Sequence, residues 1–507
     1  MSCILALDQG TTGSTALLVH EDGTVLGRGY RELTQHFPQP GWVEHDPEEI
    51  LQGSVDAMRQ ALQGIRERPA GLGITNQRET VVLWDRRTLA PVAPAIVWQD
   101  RRTSARCREL REAGLEPFLR ERTGLVADPY FSATKLEWLL GDPDLRRRAE
   151  RGELAAGTVE SWLVARFTGG RVHVSDHTNA SRTLLYDLGS RDWTPELLAT
   201  FGIPRELLPS IVPSAGAIGD MDAAYIGYPL TIAGLAGDQQ SALFGQGCCE
   251  PGFAKNTYGT GAFLLVHQGD RLPRPGAGVL ATAACGPRGE PVYALEGSVF
   301  VAGAAVQWLR DGLGLIERAE ETDALARSVP DTGGVHFVPA FVGLGTPHWE
   351  PEARGTITGL TRGTSRAHLA RAALEAIAFS SAELLEAMAG AGGLNVPALR
   401  VDGGAAANNW MMQFQADILG VPVERPDMIE TTALGAAGLA GIALGVWRNP
   451  AEFLAGRRFA RFEPAMGAGE RRDRLDGWRR AVGAALAWAR PDLESGRTKV
   501  EHSESRV

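Results

Sequence analysis

The chain has 507 residues, too many for one hydrophobic core, so two or more domains are expected. Its 44% hydrophobic and 22% charged residues fit a water-soluble globular protein, and a net charge of −10 argues against a nucleic-acid or anionic-membrane surface. Five cysteines, Cys3, Cys107, Cys248, Cys249 and Cys285, are odd in number and lack metal spacing, so reduced thiols are expected. No basic lead or long apolar stretch precedes the first strand pattern, which predicts a cytoplasmic protein with no signal peptide and no membrane insertion.

Taken in order, residues 4–7 read as a buried strand that ends in Asp8 and the polar turn Gln9-Gly10-Thr11-Thr12-Gly13-Ser14. A second strand, 15–19, turns through Asp22-Gly23 into a third, 24–29. The Gly/Thr turn therefore lies between strands, unlike a P-loop, which leads into a helix and carries a Lys. It is either an ordinary hairpin or a nest of N–H and hydroxyl groups for phosphate, with Asp8 placed to hold a divalent cation through water. Asp46 caps and Pro47 opens a helix with Ile50, Val55, Met58, Ala61 and Leu62 roughly on one face. Strands follow at 71–75 and 80–84, interrupted by Asn76-Gln77-Arg78-Glu79. That interruption is either a solvated turn or a polyol clamp, in which Arg donates two parallel bonds to neighbouring hydroxyls and Glu accepts one.

Trp98 closes the next strand, as core packing or as a ligand wall, and 103–122 reads as charged, solvated helix. Tyr130 precedes a helix, 133–140, for which Ser132 is the expected cap. The strand 230–235 runs through Asp238-Gln239-Gln240 into a helix, so Asp238 is either an N-cap or a carboxylate at a strand end, where open α/β sheets place catalytic groups. After the Gly- and Pro-bearing segment 247–252 the opening pattern returns: strand, Gly259-Thr260-Gly261, strand. This echo predicts two similar halves, each offering a Gly/Thr turn to a cleft between them. Strand 399–402 ends in Gly403-Gly404, Asn408 and Asn409 open a helix, 432–440 is a small-residue helix, and an amphipathic helix spans Trp478 to Trp488. The polar tail from 491 to 507 is expected to be disordered. No H-E-x-x-H, G-x-S-x-G or C-x-x-C occurs, which weakens readings as a zinc hydrolase, serine hydrolase or redox protein.

The blocks ALDQGTTGS (6–14), GWVEHDP (41–47), GITNQRET (73–80), DPYFSATK (128–135), GLAGDQQSALFGQ (234–246), KNTYGTGAF (255–263), ALEG (294–297) and RVDGGAAANN (400–409) together resemble the glycerol kinase branch of the FGGY carbohydrate kinases. The resemblance spans about residues 4 to 490. It implies an α/β, two-domain actin/hexokinase-like (ribonuclease H-like) ATPase fold with the active site in the interdomain cleft: an N-terminal kinase domain, 1–247, and a C-terminal one, 248–490. It implies ATP- and Mg2+-dependent phosphorylation of glycerol to sn-glycerol 3-phosphate in a cytoplasmic homodimer or homotetramer. The alternatives are a kinase for another polyol or a ketose and, in a different class, an actin-like filament or chaperone ATPase.

Position by position, Asp238 resembles the catalytic base. Arg78, Glu79, Tyr130, Asp238 and Gln239 match the groups that hold glycerol, and Trp98 and Phe263 the aromatics against its carbon chain. Thr11, Thr12 and Gly13 match the first phosphate turn, Thr260 the second, and Gly303, Gln307, Gly404 and Asn408 the rest of the nucleotide site, with Asp8 orienting the metal. The chain departs from many relatives at Gly13, where a Ser is common, and at Thr15, where an Arg is common. The segment 218–229 has neither the Gly-rich loop ending in Arg nor the His through which relatives are regulated, so inhibition by fructose 1,6-bisphosphate and activation through phosphohistidine are not expected.

Overall fold

The computed structural model describes residues 2–489 apart from 275, 277, 394 and 429; the tail expected to be disordered lies outside the described residues. Strands β1 (Cys3–Gln9) and β2 (Gly13–His20) pair antiparallel with Gln9 opposite Ser14, and β3 (Val25–Glu32) follows across the Asp22-Gly23 turn. Three later strands, β4 (Gly71–Asn76), β5 (Ala215–Met221) and β6 (Leu230–Gly237), complete a sheet in the order β5-β6-β4-β1-β2-β3. The neighbours β1, β4 and β6 run parallel. They are almost wholly apolar because both faces of these central strands are covered.

A second sheet is built from β7 (Ala254–Tyr258), β8 (Ala262–Gly269), β9 (Leu280–Cys285), β10 (Pro291–Val299), β11 (Leu399–Asp402), β12 (Val423–Pro426) and β13 (Phe459–Phe462). Its order is β9-β10-β8-β7-β11-β12-β13. Leaving out the edge strand β9, the run β10-β8-β7-β11-β12-β13 has the order and strand sense of β3-β2-β1-β4-β6-β5: two antiparallel steps, two parallel, one antiparallel. The duplication expected from the Gly/Thr echo is therefore one of topology. Each Gly/Thr turn joins the two strands at the same place in its sheet.

Helix α1 (Pro47–Leu62) starts as expected, with Asp46 accepting from the Glu48 N–H at 2.9 Å. Helices α2 (Asp238–Gly245) and α3 (Thr431–Ala443) bring the halves together. A Cβ on Gly73 would lie 2.1 Å from the Ala436 carbonyl oxygen, and one on Gly435 would lie 1.9 Å from that of Ser241. The small-residue helix thus packs backbone against the centre of the first sheet and against α2, a separation only glycine permits.

Two local expectations are corrected. Asn76, Gln77, Arg78 and Glu79 do not form a solvated turn; they are 0–2% exposed. Ser132 does not cap the helix Ser132–Leu139: its hydroxyl donates to the Glu79 carbonyl at 3.0 Å, a partner 53 residues away that no local rule supplies. The charged stretch 103–122 divides into Ser104–Glu112 and Glu116–Thr123, and the last helix begins at Ala468. All five cysteines are free and buried.

A buried polar chain supports the end of β6. Asp176 accepts from Ser214, from the Thr178 hydroxyl and from the Thr178 and Asn179 N–H groups, and the Thr178 hydroxyl accepts from the Gly237 N–H at 2.8 Å. Beside it Glu160 receives the Thr158 and Ser175 hydroxyls at 2.7 and 2.6 Å on one oxygen, while the other is buried without a partner. Burial pushes this carboxyl from 4.5 up to about 7. Below pH 4.5 folded and unfolded chains are both protonated there. As pH rises toward 7 the unfolded chain ionises while the fold keeps its proton, so stability falls by about 1.4 kcal/mol per unit and then levels off. Glu160→Gln is expected to lack this slope. Its stability relative to the parent, from urea unfolding, should rise between pH 5 and 7 and stay flat above; a constant difference would contradict the burial argument.

Candidate active site

Because β1, β4 and β6 are parallel neighbours, their carboxyl ends lie side by side, with Asp8 in register with Thr75 and Gly237 with Asn76. This places Asp8, the turn Asn76–Glu79 and Asp238 together. Asp238 is the first residue of α2, not its cap; the cap position is Gly237. Its Oδ1 accepts from the Gln239 N–H at 2.7 Å and lies 3.1 Å from Arg78 Nε, and its side chain is 30% exposed. That exposure leaves room for an incoming hydroxyl.

Arg78 is nearly enclosed. Its Nη1 donates to Glu296 Oε2 at 2.6 Å and to Gln240 Oε1 at 3.2 Å, and its Nη2 donates to Glu296 Oε1 at 2.9 Å. Glu79 adopts φ 64°, a backbone state that costs a non-glycine residue about 1–3 kcal/mol and concentrates at functional sites. Its Oε1 accepts from Arg182 Nε at 2.6 Å. Burial opposes ionisation of Glu296, but Arg182 and Arg78 outweigh it and hold the carboxyl well below the usual range. Burial raises Tyr130, with Glu79 adding to the shift, so its hydroxyl stays neutral.

An aromatic wall adjoins this cluster, with Tyr130 close enough to feel the charges of Glu79 and Arg78. Trp98 meets Tyr130 edge-on at 5.5 Å between centroids and Phe263 at 6.4 Å, and the Trp98 indole N–H donates to Thr11 Oγ1 at 2.8 Å. Phe263 lies on β8, so the wall joins both halves. The first turn is closed by the Gly10 N–H to the Gly13 carbonyl at 2.8 Å, and Thr12 is exposed at its tip. A Cβ on Gly13 would lie 2.5 Å from the Arg31 carbonyl oxygen, so β3 runs too close for any side chain there. Thr15 pairs directly opposite Asp8.

The second turn forms as Gly259-Thr260-Gly261 between β7 and β8, and the Gly303 and Ala302 N–H groups reach back to the Gly259 and Thr260 carbonyls at 3.0 and 2.8 Å. Gly303 opens the helix Gly303–Asp311, on which Gln307 is exposed. Since β7 and β11 are parallel, Gly403 and Gly404 lie at the same sheet end; Gly403 has φ 84°, and a Cβ there would lie 2.4 Å from the Tyr258 carbonyl oxygen. Asn408 caps the helix Asn409–Leu419 by accepting from the Met411 N–H at 2.9 Å and donates to Thr322 at 3.1 Å, so much of its amide is already engaged.

Family models match the chain twice: the N-terminal domain of the FGGY family of carbohydrate kinases over residues 3–245 and the C-terminal domain over 254–444. The chain belongs to the FGGY family of carbohydrate kinases. A protein named glycerol kinase from Alkalilimnicola ehrlichii is 56% identical over 496 residues, covering 97% of this chain and all of its own length. Another so named, from Carboxydothermus hydrogenoformans, is 53% identical over 96% of this chain and 98% of its own. The crystal structure of Plasmodium falciparum glycerol kinase with ADP superposes with a TM-score of 0.91 at 34% identity, over 96% of this chain and 98% of that one.

In this FGGY kinase several buried groups around the site were not among the residues singled out in the sequence. Glu296 and Arg182 carry the ion-pair cluster. Lys255 Nζ donates to Gln239 Oε1 and, at 2.9 Å, to Thr257 Oγ1. Burial, only partly offset by Asp402 and Asp238, brings this ammonium down to about 8. Lys135 spends three N–H bonds on the Pro129, Tyr130 and Phe131 carbonyls at 2.6, 2.7 and 3.1 Å, which fixes the loop carrying Tyr130. Lys135, Lys255 and Glu296 sit inside the blocks quoted above, but the partner of Glu296, Arg78, is 218 residues away. A buried charge with a distant partner leaves no periodic signal.

Proposed function

We propose that this FGGY kinase transfers the γ-phosphoryl group of ATP to a terminal hydroxyl of glycerol, giving sn-glycerol 3-phosphate. The observation that carries the reading is the constellation of Arg78, Glu79 and Asp238 at adjacent strand ends, beside the aromatic group Trp98, Tyr130 and Phe263. A three-carbon polyol has hydroxyls for the charged side and an apolar edge for the aromatic one. The names carried by the 53–56% identical relatives support the same reading.

In this reading Asp238 accepts the proton of the attacking hydroxyl, and Gln239, fixed by Lys255, keeps the carboxylate oriented. Phosphoryl transfer is mainly positioning and charge stabilisation, so Asp238 acts late and its geometry matters more than its basicity. Thr11, Thr12 and Gly13 on one side and Thr260 on the other offer N–H and hydroxyl groups to the phosphates, with Gly303, Gln307, Gly404 and Asn408 toward the rest of the nucleotide. Closing the two turns on one ATP shuts water out. The residues also fit Mg2+. Among the described residues Asp8 has no hydrogen bond or ion pair, and burial together with Asp238 brings its carboxyl up to about 7. No cluster of three or more protein ligands is found among the described residues, which suits an ion held by one carboxylate, water and substrate phosphates. Mg2+ supplies charge neutralisation at the phosphate oxygens.

The same reading places the domain boundary between Gly247 and Cys248 and the enzyme in the cytoplasm as a homodimer or homotetramer. Among the described residues no helix is long and apolar enough to cross a membrane. A coupled assay of ATP consumption against glycerol, dihydroxyacetone and xylulose tests the substrate. Glycerol is expected to give the highest kcat/KM. Faster turnover of the pentulose, or ATP consumption indifferent to glycerol with sedimentable polymer, would overturn the proposal.

A further inference from the structure

We infer that Glu296 and Arg182 are positioning residues that decide which edge of Arg78 and which oxygen of Glu79 face the acceptor, so that a strand of the C-terminal half completes the glycerol site. This rests on the glycerol reading above and deepens it.

A guanidinium carries five N–H groups in a rigid plane. In Arg78 the outer edge, one N–H from each Nη, is held bidentately by Glu296, and the second N–H of Nη1 goes to Gln240. Two donors are left: Nε–H and the second N–H of Nη2. They share one side of the plane and are parallel, so the edge that can take two neighbouring hydroxyls is the Nε/Nη2 edge. Nε is also the atom 3.1 Å from Asp238, which puts the free edge beside the proposed base. The sequence reading of a fork donating two parallel bonds holds only for this edge, because the outer one is already spent on a carboxylate.

Glu79 shows the same division. Oε1 accepts from Arg182 Nε, and among the described residues Oε2 receives no hydrogen bond, so one oxygen is anchored and one is free for a hydroxyl. Arg182 is fully buried, with its guanidinium carbon 5.6 Å from the Tyr130 ring centroid and 5.2 Å from that of Phe131. Its Nη2 lies 3.1 Å from Glu296 Oε1, off the line of a hydrogen bond, and Nη1 is buried without a partner. Glu296 thus stands between the two arginines and ties both clamp residues to one point. It stands opposite Leu265 on β8, two positions along from Phe263, so the same pair of strands delivers the carboxylate and part of the aromatic wall.

A merely structural ion cluster would be equally buried, so the test must read orientation. Steady-state kinetics would be measured for the parent, Glu296→Gln, Glu296→Asp and Arg182→Lys with glycerol and with 1,3-propanediol, which has no neighbouring hydroxyls. ADP affinity by calorimetry and thermal midpoint would be recorded alongside. Glu296→Gln keeps the shape and weakens the bidentate grip; Glu296→Asp keeps the charge and pulls it back, and carries the test if the Gln variant does not accumulate folded. The expected result is a rise of about 30-fold in KM for glycerol, a smaller fall in kcat, and a loss of at least about 10-fold in the preference for glycerol over 1,3-propanediol, with ADP affinity changed by less than about twofold. Arg182→Lys should shift the same preference through Glu79. Unchanged glycerol KM and preference in a folded variant, or parallel losses of glycerol and ADP affinity, would overturn the inference. A parent that fails to phosphorylate glycerol would instead overturn the functional reading.

Discussion

Asp238→Asn is expected to lower kcat by about 100- to 10,000-fold while leaving ADP affinity close to that of the parent. Asn keeps the side-chain shape and an Oδ1 that can still accept from the Gln239 N–H, now at 2.7 Å. What it loses is the capacity to take a proton. The substitution should not disturb the fold, because Arg78 would still have Glu296 at 2.6 and 2.9 Å and Gln240 as partners, so no buried guanidinium is left unpaired. Single-turnover and steady-state assays at saturating glycerol and ATP check this. Turnover within about tenfold of the parent would remove Asp238 from the role of base.

The second large effect falls on Asp8. Burial and the facing Asp238 make its charge unfavourable in the fold, and among the described residues no cation compensates it. Thr15, the residue paired directly opposite, carries no charge. Asp8→Asn is therefore expected to move stability and activity in opposite directions. The thermal midpoint should rise, since a half-buried carboxylate with no partner among the described residues is removed, while turnover falls by about 100-fold and the Mg2+ concentration for half-maximal rate rises by at least about tenfold. Glycerol KM should stay near the parental value, because the proposed role of Asp8 is toward the phosphates. A variant that loses both stability and activity would mark Asp8 as a structural residue. An unchanged Mg2+ requirement would mark it as a bystander to the metal.

Much of this architecture was legible in the residues. Asp22-Gly23 between apolar runs forms the expected hairpin, Asp46-Pro47 starts the expected helix, and the return of a Gly/Thr turn between strands at Gly259-Thr260-Gly261 reports a true repeat of strand order. These are local signals, carried by turn chemistry and strand ends. Burial of polar groups was not legible. Asn76–Glu79 looks like a loop by composition, yet it is enclosed because Asn76 exchanges amide bonds with Asn179 at 3.0 and 3.1 Å, and Arg78 and Glu79 find partners 218 and 103 residues away. Ser132 has the neighbours of a helix cap, yet its hydroxyl donates to the Glu79 carbonyl. Arg78, Glu79 and Asp238 lie together, as do Trp98, Tyr130 and Phe263, but Arg182 and Glu296, which hold the clamp, act through long-range charge pairing that no spacing encodes.

The central claim is that a carboxylate at the seam of two like halves meets the hydroxyl of a small polyol. A crystal structure with glycerol, Mg2+ and a non-hydrolysable ATP analogue tests it most directly. The account predicts Asp238 within about 2.6–3.2 Å of a terminal hydroxyl that faces the γ-phosphate, with the two neighbouring hydroxyls on the Nε/Nη2 edge of Arg78 and the free oxygen of Glu79. Glycerol bound elsewhere, with Asp238 still held against Arg78 and no hydroxyl in reach, would contradict it.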